Sequence, residues 1–536
     1  MTRQDAPPVA ALFQVIFDQK VGYTISWKQC LPGLDLDGVE YQCLPSGLHS
    51  VREDLVYFVL GEYAGVSAFV QEEADKQHRN ASFVAVGALV SLEYGRLGKS
   101  WMHAEALRSL ANEVVQDVEN KQPLEQFWKG HGVDSKSNGT ASAVPKTPST
   151  GGPERKRSLS DAPESLTFGR SVEVDHPALS MPALVTTLGP LLFPLYRQAL
   201  LRKRILLIGS TPVQPTCNYV YDLSVLSDVP RSLRDSISSH NGNNGIEPLF
   251  NVGVFDITRL ESLEKGWLAC TTDDILGEKK KLYDILVEMP TSHAASGHKI
   301  WPNIRTPDGE VVKATQRDFR RYASLRRELR RLQRGAENGM HYRDDESDTA
   351  DYDHDESAPL VRPPTETHSV HSDGPQGAEA AIVEQVTWST TAYQSFMWWT
   401  SAGEKDSSEA EESLTDQALL DDLPDLSELS GQHHSEDHDS HPGAQRLAAT
   451  LVAYFHRVTG VILQTLANII ERADDDAAEG YEEDAIEISE DDLRRIGLDA
   501  WNVRDRAFVR DVMKLYFNRQ SVIEDDGVRM CGVRIC

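Results

Sequence analysis

Basic charge is in short supply here: 54 lysines and arginines stand against 83 aspartates and glutamates in 536 residues, a formal net charge of −29. That balance excludes general affinity for nucleic acid or anionic lipid, so any local basic cluster calls for an explanation of its own. Cysteine is scarce too. Cys30, Cys43, Cys217, Cys270, Cys531 and Cys536 nowhere fall at CxxC spacing, which points to reduced thiols in a cytoplasmic protein rather than a zinc site or a disulfide frame. Arg3 and Asp5 precede only a short apolar run, so no secretory leader is expected, and the sequons at Asn80 and Asn138 are fortuitous. Long apolar runs are missing as well. The uncharged span 177–196 contains Pro182, Pro190 and Pro194 and reads as a core helix, with no transmembrane segment expected. The last four residues, Val533 to Cys536, form no prenylation signal.

No stretch brings together a nucleophile, a base and an orienting acid, and neither a cofactor nor a catalytic residue is expected. Gly95 to Ser100, GRLGKS, imitates a phosphate-binding loop. The first glycine of such a loop falls on Glu93, and a start at Gly95 is two residues too short, so a tight turn is expected. His433, His434, His438 and His441 lie in an acidic stretch with no rigid element to fix a metal geometry.

What is present is organised around residues 176–210. An apolar helix runs through Leu201, a basic step follows at Arg202, Lys203 and Arg204, and a branched-aliphatic strand follows at Ile205 to Ile208. A helix feeding such a strand after so short a break is the unit of an α/β sheet covered on both faces. Before it, Phe13–Phe17 and Tyr23–Trp27 alternate around Gly22 as a hairpin, and Ser82–Leu92 is a further strand. Trp101–Glu119 reads as a helix with Leu107, Leu110, Ala111, Val114, Val115 and Val118 on one face. After it come a short helix on Val220, Leu223 and Leu226, a strand at Leu249–Ile257, and a helix capped by Thr272 with Asp273 and Asp274 in its first turn.

Residues 131–173 are rich in Ser, Pro and Gly and read as a linker, in which Arg155, Lys156 and Arg157 ahead of Ser158 and Ser160 resemble a basophilic kinase site. Arg317–Arg334 is a helix with eight arginines and one apolar stripe, Tyr322, Leu325, Leu329 and Leu332; eight acids follow between Asp344 and Glu356. Arg320, Arg321, Arg326, Arg327, Arg330 and Arg331 are candidates to touch an anionic membrane or partner, with a helix docked by its stripe as the plainer reading. Residues 357–382 read as linker. Trp388, Tyr393, Phe396, Trp398 and Trp399 form an aromatic cluster, and 444–472 repeats Leu447, Leu451, Phe455, Val458, Ile462, Leu466 and Ile469 at helical spacing. Ser489 with Asp492 is a capping signal, Gly497 a stop, Asp499 a cap for a helix reaching about Asn518, and 522–528 a hairpin.

The segments VIFDQKVGYTISWKQC, YGRLGKSW, LLFPLYRQALLRKRILLIGS and GWLACTTDDILGEKKKLYDILVEMP, in that order, resemble a DENN module of the LCHN type. The tail, with its aromatic opening and CGVRIC end, resembles the domain of unknown function appended to fungal LCHN-like proteins. The resemblance implies a mixed α+β, α/β architecture. A longin-like domain would span 9–129, a disordered linker 130–173, and a doubly wound central DENN domain with a small helical part 174–316. The arginine-rich helix would span 317–334, an acidic linker 335–383, and a mainly helical C-terminal domain 384–536, with a disordered insert at 404–443. It also implies a regulator of small GTPases, an exchange factor for a Rab GTPase gripped across the first two domains, cytoplasmic or peripheral on trafficking membranes, with no nucleic-acid partner. A non-catalytic scaffold is the alternative. A GTPase-activating role is a third reading, with loop residues Arg52 and Arg96 as candidate GTPase contacts because arginine stabilises phosphoryl-transfer charge.

Overall fold

The computed structural model describes residues 6–18, 20–44, 46–47, 50–72, 82–133, 175–234, 237, 245–290, 299–341, 381–384, 404–421, 442–478, 485–523, 529–530 and 533–534. Ten of its strands form one mixed sheet in the order β10-β9-β6-β8-β7-β3-β4-β5-β1-β2. The amino-terminal half is an antiparallel layer: β1 (Val9–Asp18), β2 (Gly22–Cys30), β3 (Glu53–Leu60), β4 (Tyr63–Glu72) and β5 (Ser82–Ser91). Alternation decides its faces. Phe13, Val15, Phe58, Phe69, Ala85 and Leu89 turn toward the connection that holds the one-turn helix α1 (Val39–Gln42). Leu12, Val66, Val84 and Val86 turn the other way, where α2 (Ala104–Val114) presents Leu107, Leu110, Ala111 and Val114. A second helix, α3 (Gln122–His131), closes this half.

In the second half, the one apolar helix expected through Leu201 is divided at Gly189–Leu191. The helices α4 (Met181–Leu188) and α5 (Leu192–Leu200) lead into β6 (Ile205–Ile208), and α6 (Gln214–Leu226) carries the chain to β7 (Glu247–Asn251). The expected strand 249–257 is shorter than its apolar run, because the Asp256 carboxylate accepts from the Gly253 N–H at 3.0 Å and turns the chain into α7 (Ile257–Ser262). Next come β8 (Trp267–Thr271), α8 (Asp274–Gly277) and β9 (Ile285–Glu288), with β10 (Asn303–Arg305) antiparallel at the edge. Asp273, not Thr272, occupies the α8 cap position. The strands β9, β6, β8 and β7 run parallel, and both faces are apolar: Leu206, Leu249, Trp267 and Leu286 on one, Ile205, Leu207, Leu268 and Val287 on the other.

The long helix α9 (Gln316–His341) is followed by α10 (Glu404–Asp421), a helix in the part of 404–443 expected to be insert. Its acidic composition reads as linker, but Leu419 and Leu420 are buried and its carboxylates meet arginines of α9. Beyond it, α11 (Pro442–Ala478) lies in the same core cluster as α4, α5 and α6. The spans 177–200 and 443–476 have the length and apolarity of membrane helices, yet two-thirds of each is buried inside the fold. Ser489 and Asp492 cap α12 (Glu490–Arg495) reciprocally, and Gly497 follows it at φ 81°. The last helix, α13 (Val503–Val512), starts at Asn502 rather than Asp499, the Asn502 side chain accepting from the Arg504 and Asp505 N–H groups. The turn and second arm of the hairpin expected at 522–528 lie outside the described residues. Val522 and Ile523 belong to β12 (Ser521–Ile523), parallel to β11 (Ile486–Ile488).

Candidate functional site

The two halves meet where β3 lies against β7, joined by the one bridge pair Phe58↔Phe250. A single ladder step would hold weakly, and buried side chains reinforce it. The Asp54 carboxylate, at the start of β3, accepts from the Val213 and Gln214 N–H groups at 2.7 and 3.2 Å and so caps α6 from across the seam. Burial pushes its pKa up against those bonds. Arg259 Nη1 donates to the Val59 carbonyl at 2.9 Å, and Asn251 Nδ2 to the Gln42 carbonyl at 3.0 Å. Gln42 Nε2 in turn donates to Asp256 Oδ1 at 2.5 Å.

Above this polar stitching the seam is apolar and open. Tyr41 of α1 stacks on Phe255 with ring centroids 5.4 Å apart, and the two are 46% and 57% exposed. The Phe255 ring lies against Gly38, whose φ of 79° and missing Cβ make the contact possible. Val254 and Ile275 are exposed beside them, 47% and 58%; Ile275 stands two residues beyond Asp273, which accepts from the Ser46 hydroxyl of the first half. Tyr41 from the first half and Val254, Phe255 and Ile275 from the second are thus exposed, the last three in the connections that follow the parallel strands β7 and β8. Exposed apolar side chains of this kind have the chemistry of protein docking rather than of a reaction centre. Among the described residues no three His, Cys, Asp or Glu side chains group to hold a metal ion.

A family model described as DENN domain-containing protein 11 matches residues 12–299. The chain belongs to that family. A second model, Domain of unknown function (DUF4484), matches 383–485 and 476–536. DENN domain-containing protein 11 of Danio rerio is 32% identical over 290 residues, 53% of this chain and 54% of that protein. The protein of the same description from Rattus norvegicus is 33% identical over 287 residues, 52% of this chain and 57% of that protein. Protein ANR2 of Saccharomyces cerevisiae is 24% identical over 563 residues, 97% of this chain and 93% of its own length. The chain therefore spans a little over half the length of the vertebrate relatives it matches, and nearly all of the yeast one.

Within this DENN-family chain the sequence-derived site residues separate. Arg96 is buried: its guanidinium donates to the Ser224 carbonyl and hydroxyl at 3.0 and 3.1 Å and to Asp228 Oδ2 at 2.5 Å. It cannot reach a partner, and the turn around it, with Lys99 at φ 54°, is structural. Arg52 is exposed just ahead of β3. On α9, Arg321 is buried as well, donating to Asp416 Oδ1 at 2.7 Å and to the Gly497 carbonyl at 3.2 Å. Arg320 reaches Glu412 at 2.7 Å, and Arg326 lies over the Tyr322 ring. Arg327, Arg330 and Arg331 face solvent. Of the stripe, Tyr322, Leu325 and Leu329 are buried and Leu332 is half-buried against the core, as the docked-helix reading expects. The acidic run 344–356, the aromatic cluster 388–399, the kinase-like site 155–160 and the four histidines 433–441 lie outside the described residues.

One cluster escaped the sequence entirely. Arg197 of α5 forms two hydrogen bonds with Asp318 of α9, at 2.8 and 2.7 Å, and its Nη2 lies 3.5 Å from Asp505 of α13. One guanidinium serves two buried carboxylates. Asp318 takes the paired geometry and stays ionised, whereas burial, only partly opposed by Arg197, pushes Asp505 up to about 6. The network ties the α/β half to the C-terminal helices, and its members are separated by more than a hundred residues.

Proposed function

We propose that this protein is a DENN-type regulator of small GTPases, acting as a guanine-nucleotide exchange factor for a Rab GTPase at the cytoplasmic face of trafficking membranes. The observation that carries the reading is the exposed Tyr41, Val254, Phe255 and Ile275 surface, built from both halves of a DENN-family fold. Exchange needs no acid, base or metal from the factor. It needs a stiff surface whose affinity is greater for the nucleotide-free partner than for the loaded one, which is how binding energy becomes nucleotide release. The seam has the chemistry for this, with apolar anchors in the middle and polar side chains already bonded to one another beneath them.

A release assay with labelled GDP and a panel of Rab proteins tests the reading, run with the full-length chain and with Tyr41→Ser/Phe255→Ser. The expected result is acceleration with at least one Rab, lowered about thirtyfold by the double substitution, the worth of an aromatic anchor of roughly 2 kcal/mol. Binding of a Rab without faster release would replace exchange by a scaffold function. Stimulated GTP hydrolysis would turn attention to Arg52, since Arg96 is held inside the fold.

A further inference from the structure

The docked half of α9 leaves an uneven helix. Its apolar stripe and Arg317 and Arg321 are buried against the fold, and Glu412 and Asp416 of α10 serve the arginines of its first turns. Past Tyr322 those acids are left behind. Arg327, Arg330, Arg331 and Arg334 are all exposed and, at 100° per residue, fall within an arc of about 100° on the face away from Leu325 and Leu329. Arg331 is tied to Glu328 at 2.6 Å, three residues earlier on the same helix. Arg327, Arg330 and Arg334 make no ion pair among the described residues. In a chain of net charge −29, four arginines on about 10 Å of exposed helix repel one another, and among the described residues Glu328 is the one acid paired with them.

We propose that this face of α9 docks the protein onto a bilayer rich in anionic phospholipid headgroups. The guanidinium fork matches a phosphate with two parallel hydrogen bonds, which suits headgroups better than a lysine face would. Shape selects the bilayer over other polyanions. A straight, convex helix touches a plane along its length, whereas an acidic peptide needs a groove to be held in. A nucleic-acid duplex would engage several separate basic elements at once, and among the described residues these exposed arginines sit on a single helix face. The remaining acidic surface is no obstacle, because charges held more than about 8 Å from the bilayer are screened at physiological salt. With the apolar stripe already buried, nothing is left to insert into the acyl region, so the contact is purely electrostatic and therefore weak, reversible and salt-sensitive. Each arginine contributes about a fivefold increase in partition and the four together several hundredfold. This inference stands apart from nucleotide exchange and holds for a scaffold equally well.

The experiment is co-sedimentation of the full-length protein with vesicles of phosphatidylcholine alone or with roughly one-third phosphatidylserine. The wild-type protein is expected to sediment with the anionic vesicles only, and to be released by raised salt. Arg327→Gln/Arg330→Gln/Arg331→Gln/Arg334→Gln should lose that binding with an unchanged thermal unfolding curve, because all four side chains lie outside the core. The matching four-lysine variant should keep most of it. Equal sedimentation of wild-type and glutamine variants overturns the proposal, as does binding indifferent to lipid charge. Failure of vesicle binding together with salt-sensitive capture of a synthetic peptide of residues 344–356 would overturn it too, assigning the face to an acidic peptide. The readout is sedimentation, so its failure is distinguishable from a failure of exchange.

Discussion

Asp222 is fully buried on α6, its Oδ2 accepting from the Ser180 hydroxyl at 2.5 Å while Oδ1 has no hydrogen-bond partner. Burial pushes its pKa well above the usual aspartate range, and the single bond from Ser180 opposes this only in part. A carboxyl raised in this way holds its proton more tightly folded than unfolded. Its contribution to stability is therefore complete below the unfolded pKa and declines as pH rises above it. Asp222→Asn, which keeps the bond with Ser180 and removes the charge, should raise the melting temperature at pH 8 and change it little at pH 4.5; equal shifts at both values would mean that folding does not raise the Asp222 pKa. Arg197 lies at the opposite extreme. Arg197→Met leaves Asp318 and Asp505 buried with their main counter-charge gone, and should cost about 3–5 kcal/mol in denaturant unfolding. Adding Asp318→Asn should recover part of that loss, a coupling that a double-mutant cycle reads directly.

At the scale of elements, period and apolarity carried most of the fold into view. The β6 strand, the hairpin around Gly22, α2 and α11 were legible because one face of each is apolar at the spacing its geometry needs. Leu207→Asp should accordingly unfold the protein, since Leu207 is 1% exposed on a strand covered on both faces, at a cost of several kcal/mol measured by urea denaturation. The α10 helix was not legible. Its partners Arg317, Arg320 and Arg321 lie some ninety residues earlier, and no local pattern reveals that a run of acids is bound to a distant cationic face. Asp416→Ala tests the difference: a linker residue would change stability by less than about 0.5 kcal/mol, whereas loss of the carboxylate beside Arg321 should cost about 3 kcal/mol in the same urea titration. The seam was hidden for a related reason. Tyr41 and Phe255 come from connections over two hundred residues apart, and the β3–β7 pairing with the side-chain bonds across it brings their rings together.

Over the whole molecule, the two family matches suggest a DENN part and a separable tail, but the packing does not divide there. Phe455 of α11 lies with its ring centroid 5.0 Å from that of Tyr196 and 5.7 Å from that of Phe193, and the Tyr196 hydroxyl meets Thr459 at 2.5 Å. A fragment ending at residue 341 should expose those aromatics, bind a hydrophobic dye and unfold without a cooperative transition, and supplying residues 381–536 as a second chain should restore both properties. The same long helix also sets a timetable. A ribosome adding 5–20 residues per second takes about 14 to 56 seconds to travel from Leu200 to Ala478, and throughout that interval α5 exists without the helix that covers it. Chains stalled near residue 440 should therefore co-purify with chaperones that grip apolar segments, and chains stalled after all of residues 1–536 have emerged should not. A surface that is buried in the finished protein is thus uncovered for about half of the time the chain is being made.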